Sequence, residues 1–167
     1  MTLFFRFVRS TSIAIWFGSL VFFAFVVARV AFSTMPDAHT AGTIVRGTLI
    51  GLHKLGIIAG LVYLVFTLAL LGTQRDSHPA RAIELALIIA MLAVTVYSQF
   101  SVIPRMESDR LSLGGDTSKV SPDDPTRKHF DRLHNLSVKL EGAVMIEALV
   151  IILLAPMHGR DDFDRFA

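Results

Sequence analysis

Apolar positions along this chain fall into long blocks separated by short polar islands. The first block, "STSIAIWFGSLVFFAFVVA", lies between Arg9 and Arg29 and is close to the roughly 20 residues a helix needs to cross a bilayer. A second runs over 43–71 and stops at Gly72. A third opens at Pro79, a residue suited to the first position of a helix, and its exit is marked by Pro104 and Arg105. Residues 105–126, rich in Gly, Ser, Asp and Pro and without helical periodicity, read as a polar loop. Its last residues offer helix caps, Ser121 before Pro122 or Asp124 before Pro125. The fourth block ends as apolar as the others but begins with Asp131, Arg132, His134, Lys139 and Glu141. None of the blocks alternates as barrel strands do. The pattern predicts an all-α, integral membrane four-helix bundle in one domain spanning 1–167, with spans at about 10–31, 43–71, 79–103 and 127–156. An even number of crossings puts both termini on the same side.

Composition agrees with a lipid environment. Of the 167 residues, 53% are hydrophobic and 18% charged, and the mean hydropathy is +0.58. The formal net charge is only +2, with basic residues scattered at block ends, so no nucleic-acid footprint is present. The chain has no cysteine, which excludes disulfides, thiolate metal sites and iron–sulfur clusters. Arg6 and Arg9 resemble the basic start of a signal peptide, but "VVARVAF" supplies no small-residue cleavage site, and the first block reads as a retained span. Lysines and arginines are divided too evenly between the two sides to fix the orientation. The expected location is a membrane crossed several times, the inner membrane in a bacterial cell.

Candidate chemistry lies in the ionisable groups that the spans carry inward. His134, Ser137 and Glu141 are spaced i, i+3, i+7 and share one stripe of the fourth helix. Counted from Pro156, Glu141 is roughly 22 Å from that end, within hydrocarbon, where a bare carboxylate takes up a proton or finds a partner. The second span supplies candidates in Arg46 and His53, which lie on a slowly drifting stripe with Gly60. His53 falls at a level between Glu141 and His134, and Arg105 ends nearby, while Arg132 stands in the headgroup region at the mouth of this layer. Two small-xxx-small pairs, Gly47 with Gly51 and Gly56 with Gly60, mark opposite sides of the second helix as grooves for close neighbours. One of them suits a homodimer or another membrane partner.

The motif "HFDRLHNLS" resembles the "NFFRYHGLS"-type motif of the transmembrane protein 205 family, small four-span proteins known in bacteria as a domain of unknown function. "WFGSLVFFAFVVARVAF" is similar to that family's first helix, His53 stands where its second helix has a histidine, and Pro104-Arg105 matches a pair closing the third. The resemblance covers most of 10–150. It implies roles for Trp16, Gly18, His53, Pro104, Arg105, Phe130, Arg132, His134 and Ser137. Glu141 departs from the pattern, since the human member has asparagine there.

Three readings of the polar layer stay open. It could bind or move a cation, a metal ion or a small polar solute, with Glu84 and Glu147 as isolated candidates for continuing a path. It could hold a b-type haem or a metal ion through His53 and His134. Or it could pin the helices of a structural or accessory subunit that takes no ligand. No nucleophile–base pair, phosphate loop or paired-carboxylate motif is visible, and the chain is not expected to be an enzyme.

Overall fold

The computed structural model describes residues 2–73 and 79–154. The turn expected at 72–80 therefore falls largely outside the described residues, as does the charged tail after 154. Among the described residues six α-helices carry the chain: α1 (Thr2–Phe22), α2 (Ala28–Thr34), α3 (Ala38–Thr73), α4 (Pro79–Tyr97), α5 (Ile103–Ser112) and α6 (Pro125–Leu154). Wide π turns, Phe23–Val27 and Ser98–Val102, join α1 to α2 and α4 to α5, so four long rods result. α3 packs between α1 and α4, and α6 closes the bundle against the same two helices.

Three of these rods are long and apolar enough to cross a membrane: Thr2–Thr34, Ala38–Gly72 and Arg81–Ser112. α6 has the length, at 30 residues, but carries Lys139, Glu141 and Glu147 through the half that is otherwise apolar. The chain is a multi-pass membrane protein built as a bundle of four rods. Phe5 meets Phe66 edge-on at 5.3 Å, which sets the start of α1 beside the last third of α3. At the other end His129 of α6 meets Asp109 of α5 at 2.7 Å. The Thr2 end of the first rod and the Leu154 end of the last thus share a side.

The rods outrun the apolar blocks. The first starts at Thr2 and not near residue 10, because Arg9 is buried with a partner and the charge no longer marks an edge. The third continues past Pro104, where the sequence predicts an exit and a loop. Proline has no N–H and its ring crowds the carbonyl four residues back, which an α-helix tolerates poorly. The Ser98–Val102 turn loosens the backbone just there, with Ile103 donating its N–H to the Ser98 carbonyl, and the helix goes on to Ser112. The expected 105–126 loop is half helix. What remains turns at Gly114 and Gly115, whose φ values of 78° and 90° suit glycine alone.

Side-chain caps fix the entries to two rods. Asp37 accepts from the Thr40 N–H at 2.7 Å at the head of α3, and that bond, with the Thr40 hydroxyl, holds its carboxyl below the ordinary carboxylate range. Asp124 accepts from the N–H groups of Thr126 and Arg127, with Pro125 opening α6.

The core is centred on Trp16, which is 1% exposed. It lies in the Gly56/Gly60 groove of α3, and the absence of side chains there is what admits the indole. A Cβ on Gly60 would stand 2.6 Å from Trp16 Cζ3 and 2.7 Å from Leu92 Cδ2. Gly18, Gly47 and Gly51 have nothing within 4 Å of a hypothetical Cβ, so the second groove of α3 is open on the outside of the bundle. Gly60→Ala is therefore expected to destabilise the protein in detergent by about 1–3 kcal/mol, the usual cost of overpacking. Gly51→Ala should leave the melting temperature of the monomer unchanged. Thermal unfolding followed by tryptophan fluorescence checks both, since Trp16 is the sole tryptophan.

Candidate functional site

His53 is 2% exposed in the middle of the bundle, on the inward face of α3, next to the exposed Lys54. Its Nδ1 lies 3.0 Å from Gln99 Oε1, on the π turn of the third rod. Its Nε2 meets Glu141 Oε1 of α6 in a short contact. One imidazole thus joins three rods, and both ring nitrogens are taken up by side chains. With the Gln99 oxygen accepting, Nδ1 must carry hydrogen. Nε2 and Glu141 then hold one further proton between them, as imidazolium with carboxylate or as imidazole with carboxylic acid. Turning the Gln99 amide over would present N–H to Nδ1 and move the imidazole hydrogen to Nε2, leaving neutral histidine against a carboxylate. Site and amide together support more than one proton count.

A second ionic group stands on the loop side of this triad. Arg46 Nη1 of α3 lies 3.1 Å from Glu107 Oε2 of α5. Arg110 donates to the same carboxylate from Nε at 2.9 Å and from Nη2 at 2.7 Å, and from Nη1 to the Gly115 carbonyl. Such a fork fixes the carboxylate in plane and orientation.

A third group occupies the far end of the bundle. Arg9 Nη1 of α1 donates to Glu84 Oε2 of α4 at 3.2 Å, and the carboxylate side chain is 0% exposed. The Arg9 guanidinium also sits 5.6 Å from the centre of the Tyr63 ring on α3. Arg9 and Trp16 share the buried stripe of α1 with Ser12, Ile13 and Leu20. The spacing i, i+3, i+4, i+7, i+11 was therefore the available sign that Arg9 points inward.

The sequence-predicted residues do not all converge. His53 and Glu141 meet. Arg46 belongs to the Glu107 cluster, and Ser137 is buried one turn before Glu141 on α6. Arg105, Arg132 and His134 are exposed. The His134 ring stacks on Phe130 of its own helix, with centroids 6.4 Å apart and planes 4° from parallel. It lies about 10 Å along α6 from Glu141. The structure does not bring His53 and His134 together as a pair of axial haem ligands or as metal ligands. Among the described residues no group of three or more His, Asp and Glu side chains is placed to hold a metal ion. Gln99, Glu107 and Arg9 were not among the predicted site residues, and Glu84 was expected only as an isolated candidate for continuing a path, not as the partner of Arg9. Gln99 could have been suspected as the one amide in a long apolar run.

Residues 11–110 match a family described as a domain of unknown function, DUF4149. That is more than half of the chain. The chain belongs to the DUF4149 family. The matched residues include Trp16, His53, Glu84, Gln99 and Glu107, while α6, with Glu141 and the "HFDRLHNLS" motif, lies beyond them. No curated protein and no solved structure matches the chain.

Truncating Glu141 would strand a buried imidazole nitrogen. Glu141→Ala is expected to cost about 1–3 kcal/mol, the range for leaving a buried polar group unsatisfied. His134→Ala, at an exposed position, should be close to neutral. Thermal melts of the two variants in one detergent compare them directly, and the reverse order would contradict the geometry described above.

Proposed function

We propose that this DUF4149 protein is a non-catalytic, cation-handling membrane protein whose buried triad of His53, Glu141 and Gln99 takes up and releases a proton. The observation that carries the reading is that both nitrogens of a 2%-exposed imidazole are engaged by ionisable or reversible partners from two other rods. Ionisable groups at membrane depth are costly and commonly mark ion pathways and proton relays. A metal ion would have to displace Gln99 or Glu141 from the ring, so the proton is the cation that fits the site as built. We place α6 as the fourth crossing, since its buried stripe of Leu133, Ser137, Val144, Ala148 and Ile151 faces the other rods. The likeness to the transmembrane protein 205 family over most of 10–150 is part of the same reading, and under it the exposed His134 and Arg132 serve the aqueous rim.

A second reading is favoured by one observation: each buried ion pair joins two different rods, as a purely structural brace would. The two are separated by following the His53 ring with ¹⁵N-histidine labelling across pH in detergent, wild type against Glu141→Gln. The proton-site reading expects the His53 nitrogens to change protonation or tautomer within the working range, and Glu141→Gln to move that transition. A ring that keeps one tautomer and one charge throughout would sink the proton site and leave the brace. Stoichiometric zinc that is lost in the variant would replace the proton by a metal.

A further inference from the structure

Apart from Glu107 in the loop-side cluster, the carboxyl groups inside the bundle occupy three levels. Glu141 sits with His53 toward the loop side. Glu147 follows about 9 Å further along α6, by six residues of helix rise. Glu84 lies with Arg9 toward the other end. Along the third rod, Gln99 and Glu84 are separated by fifteen residues, about 22 Å. The intermediate carboxyl, Glu147, is half-buried, and its Oε2 is wholly buried without a hydrogen-bond partner. An unsatisfied buried oxygen of that kind is costly, and in native proteins it calls for a reason. Trp16, in the groove of α3, fills the core at a level between the two terminal stations.

We infer that the protein conducts protons across the bilayer through Glu141, Glu147 and Glu84, so that the Arg9–Glu84 pair is the last station of a relay beginning at His53. This rests on the proton site proposed above. The His53–Glu141 pair takes up a proton from the loop side and passes it to the free oxygen of Glu147 in its protonated form, which releases the proton of its other oxygen toward Glu84 and then turns over. Glu84 in turn gives up a proton at the Arg6 and Arg81 end of the bundle, and each carboxyl returns to its starting state. Arg9 from α1 and Tyr63 from α3 face Glu84. Arg9 keeps its charge throughout, and its place over the Tyr63 ring provides a partner during the moment Glu84 is neutral. The steps of roughly 10 Å are longer than a hydrogen bond, so transient water must bridge them.

Full-length protein in potassium-loaded vesicles, with valinomycin to set the potential and a trapped pH dye, gives the measurement. Wild type is expected to carry protons faster than protein-free vesicles, and Glu147→Gln and Glu84→Gln should each return the flux to that background. Glu147 has no ion pair to lose among the described contacts, so its amide variant is the decisive one if Glu84→Gln does not fold. In both variants the His53 ring should still titrate in the labelled-histidine experiment. Wild-type flux equal to that of empty vesicles, with His53 still titrating, overturns the relay and leaves the proton site standing. Undiminished flux in Glu147→Gln overturns this route. A His53 ring that never titrates removes both proposals together.

Discussion

The arrangement of this bundle depends on one desolvated imidazole. In water a histidine could turn to many partners; inside apolar helices it can only be satisfied by side chains that neighbouring rods bring to it. His53 takes Gln99 with one nitrogen and Glu141 with the other, and so fixes the rotation of the third and fourth rods relative to α3. A twist of either rod by one residue, about 100°, would withdraw its partner. Hydrophobic packing alone has no such preference in lipid, where tails and leucine side chains are equally apolar. Polar pairing supplies the directionality and the Trp16 indole supplies the shape, since its place between Gly56 and Gly60 sets the distance between α1 and α3.

The ionic groups are distributed so that none of the three buried or half-buried clusters is formed by a single rod alone. Arg46 with Glu107 links α3 to α5, His53 with Glu141 links α3 to α6, and Arg9 with Glu84 links α1 to α4. Buried pairs of this type add little net stability compared with apolar contacts of the same volume, because removing two charges from solvent offsets most of their attraction. Their retention in three places, at graded depths, is better matched to a specific arrangement of charge than to bulk stability. That distribution is what ties the proposed chemistry to the fold.

Much of this was legible in the sequence, for reasons that also explain the rest. Four helices could be read because each apolar block is too long for a strand and long enough for a membrane. The meeting of His53 and Glu141 could be read because both stand well inside their blocks, at comparable depth. The error over His134 has the same origin: periodicity gives the face on which a side chain lies, not whether another rod still stands opposite at that level. Two turns nearer the loop, α6 presents its His134 to solvent. Arg9 was misjudged in the opposite sense, since a charge beside an apolar block reads as an edge until the buried Glu84 of another rod is seen beside it. Gln99 is uncharged, and its only mark in the sequence is that it is the one amide in a long apolar run.

The wide turn at Ser98–Val102 separates the third rod into two stretches whose phases are set independently. A π turn accommodates one residue more than the α turn it replaces. Below it, Glu84, Ile88, Met91 and Thr95 keep one face toward the core; above it, Glu107 answers to Arg46 of α3 and is held by Arg110. Evolution could thus add or remove a residue at this seam and re-aim the aqueous crown of the rod while its lipid-embedded part stays in register. The two ends of a single continuous helix are, in that sense, separately adjustable components.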